Sequence, residues 1–367
     1  MRKLHRTLWR GSDLRFSMVP TMSFLRALTS TARMIRHAPE LGSGLPGDDQ
    51  VLLDVPDGRL GPALVAAALG DHGPAADLLA ATREGAEWEN RDRYTVRLAT
   101  FAHSRQDWLD SWLAAAPHHP DALLVKAELS VRRLWDSPAR AERLREAAPL
   151  IGAAADAAPR DPVPWRIALD HARGIRAAHT AFEELWAQAV NRSAHHYGCH
   201  VSALQYLSAQ WHGSHRECFD FAEQAAEDAL PGSLVQALPV RAAFAHLLSG
   251  ADAARPAAVI PYERVDAAAD LAIALSAEYA AGDPWPAEVR NLLVYVLAAR
   301  GRWAEALEQF RLIGPYATSF PWAHLSDDVL GAFLEVRDAA RIRVASAMPL
   351  RPLRRTARRI RPDGHYA

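Results

Sequence analysis

Residues 292–315 read LLVYVLAARGRWAEALEQFRLIGP, and the fold follows from how this stretch is read. Gly301 marks a turn between two helical segments, Trp303 opens the second, Ala306 is a small residue at a close-packing position, and Phe310 lies one turn further on. Small residues let paired helices approach, and large ones fill the gap between successive pairs. One such pair cannot bury its apolar face alone, so the stretch predicts a stack of pairs.

The rest of the chain agrees with an all-α fold. Alternating runs of β-branched and aromatic residues do not occur, whereas Ala, Leu, Arg and Glu recur with apolar residues three and four apart. Asp121, Ser137-Pro138, Asp161-Pro162 and Asp283-Pro284 put a capping side chain or a first-turn proline where a helix should begin. Gly70, Gly174, Gly213, Gly250 and Gly301 stand where helices should end. Between these marks the sequence predicts roughly fifteen helices, joined by connections short enough to make neighbours antiparallel.

Self-similarity supports repetition. AAPHHPDALLVKAE from Ala115 returns loosely as AAPRDPVPWRIALD from Ala157. Residues 66–79, AAALGDHGPAADLL, share the helix–turn–helix centre of 292–315. With Gly301, Trp303, Ala306 and Phe310 in their places, the latter unit resembles a tetratricopeptide repeat. The resemblance implies a degenerate α-solenoid of antiparallel helix pairs, an α-α superhelix, with a helical-repeat domain over 51–250 and C-terminal repeats over 251–345. Residues 1–50 read as a basic N-terminal segment and linker, and 346–367 as a basic disordered tail.

With 367 residues, half of them apolar and 23% charged, the chain is long enough for a large core. No run is apolar enough to span a membrane and the start lacks a secretory signal, so the expected compartment is the cytoplasm. The charge is uneven. Residues 1–38 carry eight Lys/Arg against Asp13, and 337–367 carry nine Arg against Asp338 and Asp363; the body between them is therefore −15 within a total of −1. Such ends attract anions, lipid headgroups or the acidic body itself. Only Lys3 and Lys126 stand against forty arginines, a bias that points to a GC-rich actinobacterial genome. Nucleic acid is not an expected partner. Phe24, Leu25, Leu28, Ala32 and Ile35 form an amphipathic N-terminal helix that caps the first repeat in preference to lying on a membrane.

Both cysteines and five of the sixteen histidines fall between His195 and Cys218, which raises the question of a metal. His196, Cys199 and His200 share one helix face. If 194–210 is one helix, however, His200 lies about 16 Å along its axis from the turn carrying His212 and His215, too far for one zinc ion. The plainer reading is a corner. Ser214 and Glu217 form a reciprocal capping box after Gly213, Trp211 closes the preceding helix, and Cys218, Phe221, Ala222 and Ala225 form the buried stripe of the next. No cofactor is expected.

The block WHGSHRECFDFA at 211–222, with PGSL at 231–234, resembles an actinobacterial and proteobacterial helical family known only as a domain of unknown function. Its members share a W-x-G-S corner, matched here by Trp211, Gly213, Ser214, Phe221 and Ala222 over about residues 90–250. The resemblance implies a fold and no activity. Nucleophile turns, zinc-protease motifs and phosphate loops are missing, and the acidic neighbours Glu87/Glu89, Glu183-Glu184 and Asp327-Asp328 read as solvated faces. The expected function is a non-catalytic scaffold that holds a protein partner's peptide or helix. The alternative is an enzyme or metal-dependent protein with a site near His195–Cys218.

Overall fold

A computed structural model describes residues 41–249 and 260–348. The described chain is helical almost throughout. Its helices are α1 Leu60–Ala68, α2 Gly73–Glu84, α3 Trp88–Ser104, α4 Asp107–Ala115, α5 Pro120–Trp135 and α6 Arg140–Arg145. They continue as α7 Ala148–Ala157, α8 Val163–Gly174, α9 His179–Arg192, α10 Tyr197–Tyr206, α11 His215–Glu227 and α12 Leu238–Leu248. After residues 250–259 come α13 Tyr262–Ala277, α14 Ala287–Ala299, α15 Trp303–Ile313, α16 Ser319–Trp322 and α17 Val329–Ala347. No helix among the described residues is long and apolar enough to cross a membrane.

Ser137, Asp161 and Asp283 do not cap their helices but stand in the turns that lead into α6, α8 and α14, whose N-cap residues are Ala139, Pro162 and Pro286 without a side-chain cap. Asp161 Oδ1 accepts from the Val163 N–H at 2.9 Å, Asp283 Oδ1 from Trp285 N–H at 2.8 Å, and Ser137 Oγ from Ala139 N–H at 3.3 Å. Asp121 is different: His119 Nδ1 caps α5, and the Asp121 carboxylate is buried against Arg91. Gly70 and Gly301, at φ +87° and +73°, end α1 and α14 as predicted. Gly174 stays in the last turn of α8 because a Cβ there would lie 2.3 Å from Leu144 Cδ1. Gly250 and the N-terminal helix expected from Phe24 to Ile35 lie outside the described residues, as do the rest of 1–40 and 349–367, which hold fourteen of the 42 Lys and Arg residues.

The α14–α15 unit is built as its sequence reads. Ala306 and Phe310 are fully enclosed between the helices, and Trp303 packs half-buried on the same core. Burial of this kind, at about 25 cal/mol per Å² of apolar surface, is what holds the stack. Helices α3, α5, α8, α10, α12 and α14 follow one another as neighbours, and the series curls so that α3 also touches α8 and α10.

One feature departs from the expectation of a flexible linker at 39–50. Leu41 and Val51 are buried in the C-terminal core, Arg311 Nε donates to Ser43 O at 2.9 Å, and Arg337 Nη1 to Pro46 O at 3.2 Å. Strand β1, Leu52–Leu53, then pairs in parallel with β2, Tyr316–Ala317, Leu52 opposite Tyr316. Asp54 seals the junction by accepting the Ser319 N–H at 3.0 Å and the Ser319 hydroxyl. The strap before α1 thus lies against the segment after α15, and together they form one side of the space inside the helix series.

Candidate functional site

The inward faces of α3, α5, α8, α10, α12 and α14, with the strap, line a cavity of about 460 Å³. Helical periodicity selects its walls: Glu89, Asp92, Arg93, Val96 and Arg97 recur three and four apart on α3, and Glu128/Arg132 on α5 and Arg166/Asp170 on α8 are one turn apart. From α10 come Tyr197, Val201, Ser202 and Gln205, from α12 Arg241, and from α14 Glu288.

Most charges in this wall are neutralised in place. Arg166 Nε donates to Asp92 at 2.9 Å, and its Nη1 to Glu128 at 2.7 Å and Asp170 at 3.2 Å. Arg132 joins Glu128 at 3.1 Å and Arg173 joins Asp170 at 3.1 Å, which makes three cations against three anions. Burial works against charge on Arg166, but Asp92, Glu128 and Asp170 hold its proton affinity well above the ordinary guanidinium. Opposite, Arg241 bonds Glu288 and, at 3.3 Å, the Tyr197 hydroxyl. Arg97 faces Asp54 at 3.7 Å.

Glu89 and Arg93 are the exceptions. Glu89 Oε1 accepts the Tyr197 N–H at 2.6 Å, and its second oxygen has no donor among the described residues. Burial pushes its carboxyl up, which His196 and the Tyr197 bond only partly offset. Arg93 donates to Trp285 O at 2.8 Å and lies 4.3 Å over the Trp285 ring. Burial lowers its affinity for its proton, which the nearby Glu288, Asp57 and Glu89 partly offset, though no ion pair among the described residues joins it to any of them. Sequence reading placed Glu89 on a solvated face; Tyr197 and the inward turn of α3 set it in a wall instead, while Glu87 does stay outside, on Arg59.

A second buried network lies behind the wall. Arg91, fully enclosed, donates to Leu79 O at 2.8 Å and binds both Asp121, at 2.6 Å, and Asp161. It ties α2, α3 and α5 to the start of α8 and plays no part in the cavity lining.

The His/Cys cluster divides among separate surroundings. His196 caps α10: its Nδ1 accepts the Cys199 N–H at 3.2 Å and lies 3.1 Å from Cys199 Sγ, while Nε2 lies 3.9 Å from Asp92 Oδ2. His200 turns away, donating from Nδ1 to His196 O at 2.9 Å with its ring between Trp186 and Phe221. His215 meets His246 and Ser249. No group of three His, Cys, Asp or Glu among the described residues is arranged to hold a metal ion. The Cys199–His196–Asp92 row has the order of a nucleophile, base and orienting acid. Both Cys199 and His196 are fully enclosed, however, and burial pushes the Cys199 thiol up, which keeps it protonated.

The corner expected at 211–222 is present with two changes. Helix α10 ends at Tyr206 rather than near residue 210, and bonds from Trp211 and Gly213 N–H to Ser208 O form the turn. Ser214 Oγ accepts the Glu217 N–H at 3.2 Å, but the Glu217 carboxylate accepts from the Ser214 hydroxyl, so the box is reciprocal through side chains. A Cβ on Gly213 would stand 2.3 Å from Leu207 O. Trp211 packs tilted against Trp135, ring centroids 5.9 Å apart, with Arg140 and Arg173 over its ring. Cys218, Phe219 and Ala222 are buried, whereas Phe221 is half-buried against Trp186. None of the corner residues reaches the cavity.

One sequence signal for the cavity was present in the loose repeat. Its two copies end on Glu128 and Asp170, with His119 and Asp161 at equivalent positions just before α5 and α8. In the structure both acids face the cavity and share Arg166. Against known proteins, the chain matches no family model, no curated protein and no solved structure.

Proposed function

We propose that this is a non-catalytic helical-repeat protein, tetratricopeptide-like in its packing, that binds a short extended segment of a protein partner in the inward cavity. The observation that carries the reading is the convergence of polar side chains from six neighbouring helices on one cavity. Concavities of this size, with a few convergent polar groups in a largely apolar lining, are where proteins place ligands. Volume decides between the two expected occupants. One turn of a helix with its side chains, 10–12 Å across and 5.4 Å in pitch, fills roughly 420–610 Å³. About 460 Å³ thus takes at most about one turn of a partner helix, so an extended end or loop suits it better.

An enzymatic reading near His195–Cys218 rests on the Cys199–His196 contact, and it is the weaker because no substrate reaches a thiol enclosed on every side. The test is affinity capture from the source cell's extract, with the wild-type chain and a Val96→Trp variant. Val96 is half-buried on the cavity wall, so the indole fills the space without entering the core. A partner retained by the wild type and lost by the variant supports the proposal; a partner retained equally by both refutes it.

A further inference from the structure

We propose that Glu89 and Arg93 form a clamp for a primary ammonium group and the carbonyl or carboxylate oxygen beside it, so that the cavity takes an amino-terminal residue or a free amino acid. The inference rests on the cavity being the binding site, and it names the chemistry that site selects.

Every other guanidinium in the wall has a carboxylate partner: Arg166 and Arg132 in the three-by-three cluster, Arg241 on Glu288, Arg97 beside Asp54. Glu89 and Arg93 stand one helical turn apart on the same face, a spacing of about 5–6 Å between Cβ atoms at which opposite charges ordinarily meet. They do not meet, because each is held by another group. The Tyr197 N–H fixes one Glu89 oxygen at 2.6 Å, and the Trp285 carbonyl and ring hold the Arg93 guanidinium on the far wall of the cavity. Each keeps free capacity: one carboxylate oxygen on Glu89, and the guanidinium N–H groups of Arg93 not used on Trp285.

Partly buried charges without a close partner are costly, so a ligand that pairs with both gains more than one that pairs with either. A lone cation leaves Arg93 unsatisfied, and a lone anion leaves Glu89 unsatisfied. An α-amino acid unit carries its ammonium and its carbonyl oxygen three bonds apart, which suits two opposite charges facing one small space. A site built around paired charges rejects an analogue lacking one of them strongly, because its own groups are then stranded.

The test uses the full chain and three probes, each scored by the shift in thermal midpoint. These are a random tripeptide library with free amino termini, the same library N-acetylated, and a mixture of the twenty free amino acids. The free-amino library should raise the midpoint, acetylation should abolish the shift, and Glu89→Gln and Arg93→Gln should each abolish it with the free library. A shift reproduced by the amino-acid mixture assigns the ligand to free zwitterions; one confined to tripeptides assigns it to chain termini. The clamp is overturned if the acetylated library acts equally on the wild type, if Glu89→Gln keeps the shift, or if no probe moves the midpoint. A captured partner lost by Val96→Trp in the absence of any free-amino effect would sink the clamp and leave the cavity reading standing.

Discussion

At the scale of single residues, the wall of the cavity is an exercise in burying charge. Arg166 is the one cation that Asp92, Glu128 and Asp170 all reach, so it is harder to replace than any of them. Arg166→Leu strands Asp92 and leaves Glu128 and Asp170 to Arg132 and Arg173 alone, and should cost about 3–5 kcal/mol, the usual penalty for breaking a buried pair from one side. Urea denaturation of the variant measures it. Glu89 predicts the opposite sign. Its folded-state carboxyl is raised above the unfolded value by burial, so its contribution is most favourable below the unfolded pKa and is lost as pH rises through the folded one. Glu89→Gln keeps an acceptor for the Tyr197 N–H and removes the charge. The variant should therefore melt higher than the wild type at pH 7, with the difference shrinking as pH falls toward 4 in a series of thermal melts. Stability gained at the expense of binding is the trade expected of a site residue.

Among the elements, the hairpin α14–α15 shows how far local sequence reaches. Gly301 is at φ +73° with nothing nearer than 4.0 Å to a Cβ, so Gly301→Ala tests backbone strain alone and should cost about 1–2 kcal/mol. Phe310 is fully enclosed, and Phe310→Ala should cost about 3–5 kcal/mol by leaving a cavity. Chemical denaturation of the two variants gives both figures and their ratio. This hairpin was legible because its signals are local: a glycine at a positive φ, and small and large residues one turn apart. The same kind of signal located the Ser214 cap. Asp121 was misread for the complementary reason. An acid at a helix start looks like a cap whatever it binds, and its true partner, Arg91, lies thirty residues away on another helix. Glu89 was missed likewise, since the side of α3 that faces inward is set by how the helix series curls.

For the whole molecule, the feature that no local pattern announces is closure. Residues 41–50 carry glycines, a proline and acids, and they read as a linker, yet Leu41 is buried and the strap runs on to pair with residues 316–317. Without that pairing the inner helices would present an open concave surface; with it they bound a space of about 460 Å³, the size on which the choice of an extended occupant depends. A cysteine pair at Leu53 and Ala317, which face each other across the parallel ladder, tests this most directly. Such neighbours stand within the span a disulfide needs, and both native cysteines are buried away from the junction. On mild oxidation the Leu53→Cys/Ala317→Cys chain should form an intramolecular bond in high yield and melt at a higher temperature than its reduced form. Persistence of both new thiols in the folded, oxidised protein would mean that the strap does not close on the C-terminal helices.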